Sequence, residues 1–279
     1  PPYSIDKEMI KEIEGKSTKL ALGLNVQGLL NIQFAIKDNE LINLEANPRA
    51  SRTIPFVAKD TGNQIIKAGT LLMLGYTINE INDKTNYLNS STEKIAIKKA
   101  IFPWSRFPAE DTMLGPEMKA TGEVLGIGKD FGTALNKAYA AAGVEIGEKE
   151  KGVFVTLSDA EKPNFIEVVN NYVNLEFSIY ATEGTASFLK ENNIESIVVG
   201  RADDESPTSL TIIDEKLISI VINTPTFANE YTDGWKIRRL SHETGVAVVS
   251  SVREAEAFLE AFLLQEKVLD DMEAIQNVS

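Results

Sequence analysis

The chain has 279 residues, 43% of them hydrophobic, and its 41 acidic residues against 28 basic ones give a formal net charge of −13. This length predicts one large domain or two smaller ones, and the acidic balance argues against a nucleic-acid partner. The absence of cysteine excludes disulfides, thiolate catalysis and cysteine-zinc sites. The sequence has no N-terminal signal region and no apolar run of roughly 18 residues, so we expect a cytoplasmic protein without a membrane partner.

The first predicted elements are a helix and a β-hairpin. Residues 6–25 place apolar side chains among charged ones at helical spacing, which predicts an amphipathic helix. Residues 31–36 and 42–47 alternate apolar and polar side chains, which predicts two half-buried strands joined by a turn.

Matching the apolar faces of the two strands fixes a predicted register. Ile36 then pairs with Ile42, and the same register sets Gln33 opposite Glu45. We expect Asn43 and Asn47 on the face that carries Gln33 and Glu45.

This polar face predicts a site for a metal ion beside a phosphate group. The carboxylate of Glu45 and the amide oxygens of Gln33 and Asn47 suit a hard cation such as Mg²⁺. Arg49 and Arg52 follow directly, and their planar guanidinium groups suit phosphate or carboxylate oxygens. An ordinary two-stranded element with a polar outer face is the alternative interpretation.

These residues carry a resemblance to a known family. The run from Gly28 to Phe56 closely resembles the end of the second ATP-grasp module in the large subunit of carbamoyl phosphate synthetase. The segment Leu114 to Val124 is similar to a second block of that subunit, and the two blocks occur in the family's order. The resemblance implies a ligase that makes carbamoyl phosphate from carbamate and ATP, for pyrimidine and arginine biosynthesis, with a glutaminase small subunit as partner.

The resemblance also implies roles for the hairpin residues. Positions equivalent to Gln33, Glu45 and Asn47 hold Mg²⁺ or Mn²⁺ bound to the nucleotide, and those equivalent to Arg49 and Arg52 line the pocket where carbamate is phosphorylated. The family's nucleotide-cradling loop, its lysine and its adenine pocket precede the matching region. We therefore expect the ATP site to be incomplete and the chain to be inactive without the remainder of the large subunit.

After the hairpin, the pattern predicts two short helices and a surface connection. Residues 53–59 and 63–74 are predicted helices, with Gly62 and Gly75 as their ends. Residues 76–97 are polar and rich in asparagine, which is typical of a surface connection.

The glycine-rich stretch from Gly122 to Gly132 could be mistaken for a nucleotide-binding loop. Its glycines do not have the GxGxxG spacing, and no clear strand is predicted before it. We interpret it as a turn that leads into a helix at residues 133–142. The charged stretch at residues 147–152, flanked by glycines, predicts a domain boundary near residue 148.

The remaining sequence alternates short β-rich runs with helical ones. The predicted strands cover residues 153–157, 176–181, 197–199, 218–222 and 246–250, and the predicted helices cover 160–172, 184–192, 232–243 and 252–266. This order predicts an open parallel sheet with helices on both faces. The fold class is therefore α/β, with a partial ATP-grasp region at residues 1–147 and an open-sheet domain at residues 148–279.

Polar side chains at the predicted strand ends indicate a ligand pocket. Open parallel sheets bind ligands beyond the carboxyl ends of their strands. The hydroxyl, amide and cationic side chains predicted there are Thr156, Lys162, Thr182, Thr185, Arg201, Asn223 and Thr224. A single threonine at such a position is more often a helix cap, but the convergence of several favours a pocket for phosphate oxygens.

The segment Ala181 to Ala186 resembles the signature of the methylglyoxal-synthase-like regulatory domain of the same synthetase. The resemblance implies a nucleotide effector such as UMP or IMP, held by those seven residues. Arg201 stands where the family often has lysine, and Pro225 after Thr224 moves the next hydroxyl to Thr226.

Two alternatives to the ligase remain open. One is a regulatory nucleotide-binding module with no catalysis of its own. The other is a methylglyoxal-synthase-type lyase, which the position of the single histidine, His242, in a late helix argues against.

Overall fold

The computed structural model describes residues 2, 4–82, 94–107, 112, 118, 120–144, 146–147, 150–205, 207–224 and 232–264. These residues form two compact units, one that ends at Ile95 and one that begins at Ala96. None of the helices in the described ranges is long and apolar enough to cross a membrane.

The first unit begins with the predicted helix. Helix α1 (Lys7–Gly23) is capped by Asp6, whose carboxylate accepts a hydrogen bond from the backbone N–H of Met9 at 2.8 Å. The strands β1 (Asn31–Lys37) and β2 (Glu40–Asn47) then form an antiparallel hairpin.

Three helices complete the first unit: α2 (Ile54–Thr61), α3 (Ile65–Met73) and α4 (Ile78–Asn82). Gly62 and Gly75 have positive φ angles just beyond α2 and α3, where glycine adopts the left-handed conformation without strain. The predicted ends of both helices are confirmed. The predicted surface connection at residues 76–97 contains α4 and the start of the next strand, and residues 83–93 of it lie outside the described part of the chain.

The hairpin contains a β-bulge that the sequence pattern did not reveal. Gln33 pairs with Glu45, as predicted, but Phe34 pairs with Asn43, so Leu44 is an extra residue in β2. Because of this extra residue, the residues of β2 before Leu44 lie on the face opposite to the one predicted. Asn43 therefore shares a face with Phe34, and its predicted place beside Gln33 and Glu45 is wrong.

The predicted pairing of Ile36 with Ile42 is also wrong, because Ile36 pairs with Leu41. Leu41 is the buried side chain, with 4% exposure, whereas Leu44 is 60% exposed. The regular alternation of apolar residues had suggested an uninterrupted strand, and a bulge breaks that alternation without any change in composition.

The second unit opens with β3 (Ile95–Ile101), β4 (Gly122–Gly128) and α5 (Phe131–Ala141), with β3 and β4 paired in a two-stranded sheet. The prediction that no strand precedes the glycine-rich turn is wrong, because residues 122–128 are themselves a strand. Glycines weaken a strand pattern, but here they permit close packing. A Cβ atom on Gly126 would overlap the backbone of Ala134 in α5.

A five-stranded parallel sheet dominates the second unit, with strand order β7-β6-β5-β8-β9. Its strands are β5 (Gly152–Thr156), β6 (Ile179–Thr182), β7 (Ile197–Val199), β8 (Ile218–Asn223) and β9 (Ala247–Val249). Its helices are α6 (Lys162–Asn174), α7 (Glu183–Glu191), α8 (Ser209–Asp214), α9 (Asp233–Thr244) and α10 (Val252–Leu263). The predicted α/β fold is confirmed, and among these strands and helices of the sheet the six-residue α8 is the one that was not predicted.

Both faces of this sheet are buried. In β5, Val153 and Val155 contact a core formed with α6, α7 and α10, whereas Phe154 joins a second core with α8 and α9. Successive strand residues point to opposite faces, so helices cover the sheet on both sides, as predicted. Helix α5 also packs against α10. The boundary near residue 148 remains a proposal about where the sheet domain begins.

Candidate functional site

A cavity of about 280 Å³ lies at the carboxyl ends of β5 and β8. The chain runs from β5 outward through β6 to β7, then returns to place β8 on the other side of β5. This reversal opens a crevice between the two strands, which is where open α/β sheets bind ligands. Three predicted residues line the cavity: Thr156, Asn223 and Thr224.

Two threonine hydroxyls shape the loop that follows β5. The backbone N–H of Ser158 donates to Oγ1 of Thr224 at 2.7 Å, and the N–H of Leu157 donates to Oγ1 of Thr185 at 3.1 Å. Both threonines are buried. A hydroxyl that accepts one hydrogen bond still carries its own proton, and Thr224 donates its proton at 3.4 Å to Oγ of Ser158, which also lines the cavity.

Three of the predicted residues form a group beside the cavity. Thr182 donates to Thr185 at 3.4 Å between their Oγ1 atoms. Lys162, at the start of α6, donates to the backbone oxygen of Gly184 at 2.9 Å and forms an ion pair with Asp159 at 2.6 Å. The hydrogen bond and charge of Lys162 lower the pKa of Asp159. Lys162, Thr182 and Thr185 thus adjoin the cavity through the loop after β5.

Arg201 lies in the loop after β7, two residues beyond Val199, which pairs with Thr182 of β6, and its side chain is exposed. Its backbone N–H donates to Oδ2 of Asp204 at 2.7 Å. Strand β7 is two positions from β5 in the sheet, and Arg201 does not line the cavity among the described residues. Thr226, the expected second hydroxyl, falls outside the described part of the chain.

Helix α9 contributes cavity residues that sequence reasoning missed. Thr232 caps this helix by accepting a hydrogen bond from the N–H of Trp235 at 3.3 Å, and Asp233 and Gly234 follow it into the cavity wall. One turn later Arg238 also lines the cavity. The spacing of Gly234 and Arg238 places them on one helix face, and this pattern could have indicated the arginine.

The single histidine lies elsewhere. The ring of His242 packs near Trp104, with 6.1 Å between ring centroids. Burial and the positive charges of Lys99, Arg239 and Arg238 lower its pKa from 6.5 to about 4. His242 does not line the cavity, so it is not placed to exchange protons with a ligand there.

The hairpin brings its predicted ligands together on one exposed face. Gln33 lies opposite Glu45, and Nδ2 of Asn47 donates to Oε1 of Glu45 at 3.0 Å. This contact leaves the carbonyl oxygen of Asn47 and a second carboxylate oxygen available. One carboxylate and two amides fit a Mg²⁺ or Mn²⁺ ion that takes its other ligands from phosphate and water. No cluster of three or more His, Asp or Glu side chains suited to a metal occurs in the described ranges.

The arginines after the hairpin follow a tight turn. The backbone N–H of Arg49 donates to the backbone oxygen of Asn47 at 2.8 Å, and its Nη1 donates to the backbone oxygen of Ala50 at 3.1 Å. This turn brings the backbone of Arg49 back to Asn47, the last of the predicted metal ligands. Arg52 follows immediately before α2.

A larger cavity of about 470 Å³ lies between α1 and the other face of the hairpin. Its walls include Leu20, Phe34 and Leu41, and none of the predicted site residues lines it. Lys16, Lys19 and Asn43 also line it, but the rest of its wall is apolar and it lacks the converging hydroxyl groups of the strand-end cavity, which is therefore the better candidate site.

Comparison with protein families matches two regions of the chain. Residues 1–81 match the family described as carbamoyl-phosphate synthase L chain, ATP binding domain. Residues 164–250 match the family described as MGS-like domain. The first region contains the hairpin, and the second contains Thr182, Thr185, Arg201, Asn223 and Thr224.

Individual relatives align over nearly the whole chain. The carbamoyl phosphate synthase large chain, C-terminal section, of Aquifex aeolicus is 38% identical over 284 residues, which cover 97% of this chain and 53% of that relative. The protein of the same description from Methanocaldococcus jannaschii is 39% identical, with 94% of this chain and 43% of that relative covered. The carbamoyl phosphate synthase large chain of Brucella suis is 39% identical, with 97% of this chain and 24% of that relative covered. The chain thus spans about half or less of the length of these curated relatives.

Proposed function

Because the chain is homologous to the C-terminal section of the carbamoyl phosphate synthase large chain, we propose that it contributes to this ligase in two ways. Its hairpin supplies part of a nucleotide and metal site. Its C-terminal sheet domain binds a nucleotide effector that regulates the enzyme.

The strand-end cavity carries the effector proposal. It combines hydroxyls and an amide with the start of α9, where free N–H groups and the helix dipole favour an anion. Its volume of about 280 Å³ is near the lower end of small-ligand sites, roughly 300 Å³. A mononucleotide such as UMP or IMP, with its phosphate at the threonines, fits this chemistry.

The hairpin supports the ligase proposal. Gln33, Glu45 and Asn47 would hold a Mg²⁺ or Mn²⁺ ion, which would neutralise charge on the phosphates of ATP. Arg49 and Arg52 would bind the transferring phosphoryl group and carbamate. The remainder of the large chain would complete the nucleotide site, and a glutaminase subunit would supply ammonia.

A methylglyoxal-synthase-type lyase is disfavoured by the placement of the only histidine. His242 packs near Trp104 and does not line the strand-end cavity. The cavity offers groups that bind an anion, and its chemistry favours binding over proton transfer.

Calorimetric titration of the chain with UMP and with IMP tests the effector proposal. We expect binding of at least one nucleotide, and we expect Thr224→Val to weaken it roughly tenfold or more through loss of hydroxyl hydrogen bonds. Thr224→Ser should retain binding because it keeps the hydroxyl. Thr244→Val is a matched control, because that hydroxyl bonds to the backbone of Leu240 at the far end of α9.

Two results would contradict the proposal. One is a folded chain that binds neither nucleotide. The other is equal weakening by the Thr224 and Thr244 variants, which would show that the loss of affinity does not depend on the cavity.

A further inference from the structure

We propose that Arg238 is a positioning residue that sets the specificity of the strand-end cavity through Asn223. It holds the side-chain amide of Asn223 so that the NH₂ group, and not the carbonyl oxygen, is offered to the ligand. The site would then select ligands that present an acceptor oxygen at this point. The inference rests on the nucleotide-binding function proposed above.

The contact that carries the inference is a buried hydrogen bond. Nη1 of Arg238 donates to Oδ1 of Asn223 at 2.8 Å. Arg238 is 7% exposed and Asn223 is 4% exposed, and both side chains line the cavity. The bond joins α9 to the end of β8, so it fixes the amide between two elements of the sheet domain.

The chemistry of the two groups determines the orientation of the amide. A guanidinium group has five N–H donors and no acceptor, so it can bind only the carbonyl side of an asparagine amide. A donor with full positive charge also makes a stronger hydrogen bond than a neutral one. A flip of the amide would set its NH₂ against the guanidinium and lose the bond. The NH₂ group is therefore what Asn223 offers to a ligand.

The start of α9 is shaped to allow this contact. A Cβ atom on Gly234 would lie 3.1 Å from Nη1 of Arg238 and 3.7 Å from Nδ2 of Asn223. The glycine leaves this space open one turn before the arginine. Asp233 also lines the cavity.

The next residue provides a matched comparison. Arg239 has the same 7% exposure, but its Nη1 donates to the backbone oxygen of Phe107 at 2.8 Å and its Nε contacts Glu243 at 2.7 Å. Adjacent arginines on one helix thus have different partners. Replacement of either arginine removes a buried positive charge, but only replacement of Arg238 removes the hydrogen bond that holds the amide of Asn223.

A double-mutant cycle on the whole chain tests the inference, with UMP and CMP as calorimetric probes. CMP replaces a carbonyl oxygen of the base with an amino donor. UMP and CMP carry the same phosphate, so we expect tighter binding of UMP than of CMP, and equal affinity or tighter binding of CMP would overturn the specificity for an acceptor oxygen. Arg238→Met and Asn223→Asp should weaken binding of UMP roughly tenfold, while Arg239→Met should not.

The coupling between the two sites decides between positioning and direct contact. If Arg238 acts through Asn223, Arg238→Met should cause little further loss in the Asn223→Ala background. Additive losses would overturn the inference, because they would mean that Arg238 contacts the ligand independently. Undiminished binding by Asn223→Asp would also overturn it, because aspartate keeps the contact with Arg238 and has no NH₂ to offer.

The NMR signals of the Asn223 side-chain amide separate this inference from the proposed function. In the chain without ligand, Arg238→Met should shift these signals and Arg239→Met should leave them in place. Unchanged signals would overturn the positioning role even if nucleotide binds. If Arg238→Met shifts these signals but the unmodified chain binds neither UMP nor CMP, the proposed function is refuted, and the specificity with it.

Discussion

Thr185 and Thr224 illustrate how a side chain can serve the fold and still be available to a ligand. Each hydroxyl accepts a hydrogen bond from the backbone of the loop after β5, which satisfies an N–H group that would otherwise need another partner. The ligand-binding and structural interpretations of these threonines are therefore compatible. A variant that removes the hydroxyl loses both, so a serine replacement is the informative control.

Among single residues, the sequence identified those cavity residues that lie at the end of a strand or directly after it. Thr156, Asn223 and Thr224 were found because parallel strands share one carboxyl edge. Arg238 was not found, because its approach to Asn223 depends on how α9 packs against β8. Arg201 was grouped with them by strand-end position, but it does not line the cavity, because β7 pairs with β6 and not with β5 or β8.

The lowered pKa of His242 predicts a pH dependence of stability. Its pKa is about 4 in the folded chain and near 6.5 when unfolded, so the unfolded chain binds more protons between these values. The free energy of unfolding should therefore fall as the pH is lowered from about 6.5 towards 4. We expect a change of less than about 2 kcal/mol, because the imidazole remains partly exposed.

Urea denaturation of the unmodified chain and of His242→Gln, repeated across this pH range, measures the effect. The variant should lose less stability than the unmodified chain as the pH falls. Parallel curves for the two proteins would show that His242 has no part in the acid sensitivity.

At the scale of elements, close contact between β4 and α5 depends on glycine. A Cβ atom at Gly126 would overlap the backbone of Ala134 and Ala138, which cannot move without displacing the helix. We expect Gly126→Ala to destabilise the second unit by about 1–3 kcal/mol through overpacking. Chemical denaturation followed by circular dichroism would measure this.

Gly184 provides the control for that experiment. It lies in the same unit, in the first turn of α7, and its Cβ would meet only Nζ of Lys162 at 3.8 Å. Gly184→Ala should therefore cause no loss of stability. Equal loss in both variants would contradict the packing explanation for Gly126.

The elements that the sequence predicted are those with a clear period. The strands of the parallel sheet have short apolar runs, the helices α6, α7, α9 and α10 have apolar side chains at helical spacing, and each was predicted. The bulge at Leu44 and the strand rich in glycine at residues 122–128 were missed. Both features depend on backbone contacts that side-chain periodicity does not encode. The bulge depends on an irregular strand pairing, and the glycines of the strand depend on the close approach of a helix.

At the scale of the molecule, the two units differ in how much apolar surface they bury. Met9, Leu41, Ala68 and Ile81 are the buried apolar residues among the described part of the first unit, whereas the second has two extensive cores. The first unit also exposes large apolar side chains such as Met73, at 70%. We infer that it is the less stable unit in the isolated chain.

Hydrogen exchange followed by mass spectrometry tests this difference. Backbone amides in β5 and β8 should exchange far more slowly than those in β1 and β2, because the hairpin opens without breaking a large core. Similar protection of the hairpin and the central sheet strands would contradict this expectation.

We propose above all that the crevice at the carboxyl ends of β5 and β8 binds a nucleotide. Titration of the isotopically labelled chain with UMP, followed by two-dimensional NMR, tests it most directly. We predict saturable shifts centred on Thr156, Ser158, Asn223 and Thr224, with no comparable change at Gln33 or Glu45. Shifts centred on the hairpin, or none at millimolar UMP, would contradict the account.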